Sequence, residues 1–169
     1  TSPFFNSLPL QQHGLKFIYA DIAAAHPLDD GTAAVLYNDF EKTAIALKED
    51  EHVYRRLIGA SIHQWPLIAA DVLGPLHFPK HPFKMAAFGL NALTSAQVLS
   101  KKFKTKEGKA LWAGMAAHAI QPLTNLATSA IALVLMTAAH LRGWPVAEHG
   151  SSSIAKALAS YFTSLGGRI

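Results

Sequence analysis

Between Leu15 and Tyr37 the apolar residues fall into two short β-prone stretches, KFIYADIAAAHPL and TAAVLY, on either side of Asp29-Asp30-Gly31. An Asp-Gly pair accepts positive φ at little cost, so this pattern predicts a β-hairpin over 15–37. A lone hairpin is marginal in water and must lie against helices or join a larger sheet. From Asn38 the spacing of apolar positions changes to three and four, the period of a helix. Asn38 and Glu41 fit a capping box that opens a short helix over 39–48. A longer helix is predicted over 51–73, with Val53, Leu57, Ile58, Ile62, Trp65, Ile68, Ala69 and Val72 on its apolar side and a kink or split at Pro66.

GPLHFPKHPF is a proline-rich loop, and Pro82 suits the first position of the next helix. A broken helical stretch follows to Phe103, interrupted near Gly89 or Leu93. Thr105 can cap a helix from Lys106 to about Ile120, and Pro122 marks the break after it. The chain then enters LTNLATSAIALVLMTAAHLR, and no Asp, Glu, Lys or Arg occurs from Ala110 to Leu141. The uninterrupted apolar part, Leu126 to Leu141, is sixteen residues, short of the ~20 that a membrane span needs. A buried central helix is predicted. In the closing helix Ser152 or Ser153 is the cap, and Ile154, Ala157, Leu158, Tyr161, Phe162 and Leu165 line one face. Gly166 fits the left-handed stop position, and the GGRI that ends the sequence reads as a helix stop followed by the start of a strand.

Composition changes this picture in two ways. Of 169 residues half are apolar and 15% charged, enough for one domain with a sizeable core and for apolar surface that faces something other than that core. The net charge of +4 draws heavily on Lys80, Lys84, Lys101, Lys102, Lys104, Lys106 and Lys109. These lysines read as a solvated helix face; contact with phosphates or an anionic bilayer surface stays open, and no nucleic-acid-binding signature accompanies them. Cysteine is absent, which excludes disulfides, thiolate nucleophiles and Cys-ligated zinc. TSPFFNSLPLQQHG has neither a basic start nor a continuous apolar run and is no signal peptide.

Candidate chemistry is sparse. Among the nine histidines one pair, His77 and His81, has i, i+4 spacing, and prolines at 79 and 82 deny it a shared helix; with no HExxH, no metal site is predicted. His118, in AAHAIQPL, is either a hydrogen-bonded core histidine or a polar group in the wall of an apolar cavity. HGSSS lacks the Gly-x-Ser-x-Gly elbow, so its serines read as a helix cap. Neither GxGxxG nor a P-loop occurs, and no catalytic residue is named.

GWPVAEHGSSSIAKALASYFTSLGGRI resembles the middle of the phytoene dehydrogenase-related FAD-dependent oxidoreductases of the flavin amine oxidase superfamily. There a Gly-Gly-Ser type loop opens a helix that ends in Leu-Gly-Gly and feeds a strand of the flavin domain; here His149 replaces the first glycine. SPFFNSLPLQQHGL, AHPLDDGTA, YRRL, LGPLHFPKHP and AAHAIQPL resemble the same proteins in the same order.

The resemblance implies a mainly helical α+β fold: one substrate-binding domain over 1–169, with the hairpin at 15–37, a helical part at 38–142, and a loop and helix at 143–169 leading back to an absent FAD-binding domain of the same polypeptide. It implies a cytoplasmic enzyme, peripheral to a membrane, that transfers a hydride from an apolar, isoprenoid-type substrate to FAD. This chain alone would be inactive and would not hold FAD tightly. Gly150, Ser151 and Ser152 are then the candidates for approaching the flavin, and Ser153, His118 and Pro122 those for lining the substrate cavity. The competing expectation is a stand-alone apolar-ligand carrier or membrane-surface module without catalysis. The fragment reading also expects an exposed apolar patch and self-association that hides it.

Overall fold

A computed structural model describes residues 3–75 and 77–169. Thr1, Ser2 and Leu76, which belong to the N-terminal stretch and to LGPLHFPKHP, lie outside it. The fold is mainly helical α+β. In chain order its elements are α1 (Pro3–Ser7), β1 (Phe17–Ile18), β2 (Ile22–Pro27), β3 (Ala33–Tyr37), α2 (Phe40–Ala46), α3 (Glu51–Tyr54), α4 (Ala60–Leu73), α5 (Pro82–Ala92), α6 (Ala96–Ser100), α7 (Lys106–Ala116), α8 (Thr128–Arg142), β4 (Val146–Ala147) and α9 (Ser152–Ser164). They divide between two compact units, one built from residues 1–20 with 144–169 and one from 21–143.

In the first unit, β1 pairs antiparallel with β4, Phe17 opposite Ala147. Leu10, Leu15 and Ala157 form its core, with Phe5, Leu8, Phe17, Ile154 and Tyr161 packed around them. This corrects the hairpin predicted from residue 15: Phe17 and Ile18 pair with a strand from the far end of the sequence. Gly166 takes the expected left-handed φ, +88°, but residues 167–169 form no strand.

The second unit contains the true hairpin, β2 with β3, closed by the predicted turn. Gly31 has φ +80°, and Asp30 Oδ1 accepts from the Thr32 N–H and hydroxyl. The helix after it starts one residue later than the capping box suggests. Asn38 N–H still donates to Asp21 O in the hairpin, so the cap is Asp39, whose Oδ1 accepts from Lys42 N at 2.9 Å.

The stretch 51–73 is interrupted by a wide π turn at Arg55–Gly59, and Pro66 sits inside the continuous α4. The wide turn puts Leu57, Ile58 and Gly59 consecutively into the core, a run that a regular helix would spread around its circumference. Gly59 lets Phe40 pack close there: a Cβ would stand a tight 3.3 Å from the ring.

Pro82 opens α5 and Thr105 caps α7 as predicted. The apolar helix α8 is the central one: it packs on α4, α5 and α7, with Ala132, Leu133, Met136 and Ala139 buried. Among the described residues no helix is long and apolar enough to cross a membrane. Two polar side chains inside this core find partners: Trp112 Nε1 donates to Ala96 O at 3.0 Å and Thr137 Oγ1 to Ser61 Oγ at 2.8 Å.

Candidate functional site

The second unit carries an open groove of about 900 Å³, a size that takes a drug-like or lipid-like ligand. Its floor and walls come from the last turn of α4 (Asp71, Val72), the proline-rich loop (Pro79), one face of α5 (Met85, Phe88, Gly89, Leu93), Val98 of α6, and the segment before α8 (Thr124, Leu126). Helix α5 can present this face because Pro82 fixes its first turn, while Phe88 and Ala92 anchor it in the core. Gly89 faces open space, with nothing within 4 Å of where a Cβ would stand. Leu90, Leu93 and Leu126 stay well exposed at 79%, 66% and 79%, far more than isolated surface leucines require. Beside the groove Phe78 and Phe83 are exposed as well. The stretch 72–106 that supplies most of these walls carries six lysines and no Asp or Glu.

Two hydroxyls of the wall and one behind it are already engaged. Thr94 Oγ1 donates to Leu90 O at 2.8 Å, Ser95 Oγ accepts from Val98 N, and the buried Thr128 Oγ1 behind them donates to Asn125 O at 2.8 Å. Asp71 is the one charged residue among the described groove residues. Its side chain is only 3% exposed, and Oδ1 meets His77 Nε2 at 2.7 Å. The other ring nitrogen of His77 meets Pro75 O at 2.7 Å. The Pro75 carbonyl and then the Asp71 carboxylate hold the His77 pKa above its ordinary value. Asp71 Oδ2 is shut off from solvent and has no hydrogen-bond partner.

The residues singled out from the sequence lie elsewhere. His118 is exposed on a short 3-10 turn after α7, its Nδ1 bonded to Gly114 O at 3.2 Å, and Pro122 is exposed just beyond it. The core-histidine reading of His118 is corrected, since a helix end too short to reach the interior leaves the ring on the surface; neither residue is among those that line the groove. Its effect is on His26, whose ring fills the space left by Gly114, where a Cβ would lie 2.1 Å from Cε1. Burial and the neighbouring His118 both hold the His26 pKa down.

Gly150 to Ser153 belong to the first unit, where Gly150 and Ser151 form the turn into α9 and Ser152 and Ser153 begin it. His149 and Gly150 both have positive φ, +64° and +93°. Ser153 Oγ donates to Glu148 O at 2.7 Å, Ser153 N–H to Gly150 O and Ile154 N–H to Ser151 O. Ser151 and Ser152 are exposed. Glu148 places a carboxylate beside the turn, paired with Lys16 at 3.2 Å.

Sequence reasoning missed Asp71. The available signal was an acid in the last turn of a helix, where the macrodipole disfavours it, followed six residues later by a histidine. Among the described residues no cluster of three or more His, Asp or Glu side chains could hold a metal ion. Compared with protein-family models, with curated proteins and with solved structures, the chain matches none of them.

Proposed function

We propose that this chain binds an elongated apolar small molecule in the groove between α4, α5 and α6. The observation that carries this reading is a groove of about 900 Å³ whose lining is mostly apolar. Apolar surface of this extent gains about 25 cal/mol per Å² when a ligand removes it from water.

Within the resemblance to phytoene dehydrogenase-related enzymes, the bound molecule would be the oxidisable substrate and this chain the substrate-binding part of an FAD-dependent oxidoreductase. The dinucleotide unit would come from polypeptide without a counterpart in these 169 residues, which hold no GxGxxG. A place in the cytoplasm beside a membrane fits the lysines and exposed leucines that border the groove. The oxidoreductase assignment rests on the quoted stretches alone; the groove supports ligand binding whether or not redox chemistry follows.

Gly89→Leu tests the groove directly. The new side chain enters open space on the groove face, so folding is unharmed and helix propensity gains ~0.5–1 kcal/mol. Nile red, a neutral apolar probe, should bind the natural protein with a blue-shifted emission and bind the variant at least tenfold more weakly. Equal binding by the two proteins would overturn the assignment of the groove.

A further inference from the structure

Helix α5 breaks the usual rule for a helix at a protein surface. Phe88 and Ala92 anchor one side of it in the core, and the opposite side should then be polar. Instead Phe83, Ala86, Ala87, Leu90 and Leu93, which the helical period places on that outward side, are all exposed and all apolar. Its only charged residue, Lys84, lies to one flank. The apolar surface continues past the helix: Phe78 is 84% exposed and Phe83 89%, Leu73 and Val98 are exposed as well, and Leu126 borders the same groove. A ligand inside the groove covers Met85, Gly89 or Leu93, but Phe78 and Phe83 do not line it. Their rings stay in water unless something broader than a small molecule meets this face.

The charge around this face chooses the partner. From residue 72 to 106 there are six lysines and no Asp or Glu, and from 108 to 147 there is again no Asp or Glu. The Asp71 side chain is buried and held by His77. Lys106 is answered by Asp30 of the hairpin turn. Among the described residues Lys80, Lys84, Lys101, Lys102 and Lys104 have no carboxylate partner, and all five are exposed. Lys80 and Lys84 bracket Phe83 in the sequence, and Lys101 and Lys102 follow Val98 by one helical turn, the Lys101 N–H donating to Val98 O. A second copy of the chain is a poor occupant, since a two-fold contact would press five lysines against five with no acid between them. A nucleic acid would answer the lysines and leave Leu90, Leu93 and Leu126 in water. An anionic bilayer answers both: hydrocarbon takes the apolar side chains and the headgroups take the lysines.

Resting on the groove reading above, we propose that the outer face of α5, with Phe78, Leu126 and the lysines beside them, is a docking surface for an anionic lipid bilayer. Helix α5 lies in the plane of the interface, with Phe83, Leu90 and Leu93 at the boundary of headgroups and acyl chains. Lys80, Lys84, Lys101 and Lys102 meet the anionic headgroups. The groove then opens on the membrane side, and an apolar ligand passes between bilayer and groove without crossing water.

The experiment is co-sedimentation of the full chain with vesicles of phosphatidylcholine alone and of phosphatidylcholine with roughly 30% phosphatidylglycerol, at about 0.1 M salt. The anionic vesicles should bind at least tenfold more tightly than the neutral ones, and raising the salt to about 0.5 M should erase most of that preference. Lys80→Gln with Lys84→Gln should weaken binding to the anionic vesicles at least tenfold, each lysine near an anionic surface being worth about fivefold. The same pair should leave binding to the neutral vesicles within about twofold. Phe78→Ser with Phe83→Ser should weaken binding to both kinds at least tenfold. Both rings are exposed, so the fold is kept, and neither lines the groove, so Nile red binding measured without vesicles should stay within about twofold. Equal binding to the two vesicle types, binding to neither, or unchanged binding by the phenylalanine pair would overturn the docking surface and leave the groove standing where Nile red still binds. A dimer in sedimentation that the phenylalanine pair dissociates would assign the face to a second copy and overturn it as well. If anionic vesicles bind and Nile red does not, the groove reading falls, and with it the passage of ligand, while the docking surface stands.

Discussion

Two aspartates in the second unit are buried to a similar degree and do opposite things. Asp50 is 0% exposed, and its carboxylate accepts from Lys104 N at 2.7 Å, from Thr105 N at 2.9 Å and from the Thr105 hydroxyl. It sits at the start of α7, where the macrodipole favours a negative charge. Asp71 lies at the end of α4, where the dipole opposes it, and one of its oxygens is left without a donor. A buried carboxylate with both oxygens answered by the chain's own donors holds the fold together. One that is answered at a single oxygen, at the end of a helix, leaves a buried acceptor that costs stability.

The largest test of that contrast is Asp50→Ala. Three donors at the α7 start lose their acceptor together, and unfolding by urea should show a loss of about 3 kcal/mol or more. A loss below about 1 kcal/mol would dissolve the distinction between the two sites. Gly108→Ala comes next, because the added Cβ would stand 2.4 Å from Asp50 Oδ2 and 2.9 Å from Phe103 Cδ1. Both are close-packed side chains with little room to move, so a cost of ~1–3 kcal/mol is expected in the same assay.

The smallest effect is pH-dependent. The His77 pKa is raised above 6.5 in the folded chain, so the stability it contributes is complete below about 6.5 and fades as pH rises through the raised value. His77→Gln should remove that slope, measured as the difference in denaturation midpoint between pH 6 and pH 8. His140 works in the other direction: burial lowers its pKa against the pull of the Asn38 carbonyl, so its cost appears as pH falls below the ordinary histidine range. The difference between the natural protein and His77→Gln isolates one from the other.

The local signals in the sequence carried well. The Asp30-Gly31 turn, Pro82 at the head of α5, Thr105 before α7 and Gly166 after α9 each depend on a few neighbouring residues and on backbone conformations that only some residues accept. The pairing of Phe17 with Ala147 was illegible because its two halves lie near opposite ends of the sequence and each is too short to show a period. The start of α2 was misread by one residue because a hairpin hydrogen bond competed for Asn38. The groove was hidden for a different reason: Leu90, Leu93 and Leu126 recur as core residues do, and hydrophobicity alone does not say which side of a helix will find a neighbour. Asp71 looked like an ordinary acid among alanines, since a partner's absence is visible only once the surroundings are in place.

The wide turn at Arg55–Gly59 has a bearing on how this groove could have arisen. A π turn is one residue more than a regular helix needs, and one residue is worth about 100° of rotation about the axis. A chain lacking that residue would keep its hydrogen bonding, yet every position downstream in α4 would be dialled around by more than a quarter circle, carrying Asp71 off the groove wall. The surplus residue thus sets the phase of the helix, and with it which side chains α4 turns toward α5 and α8.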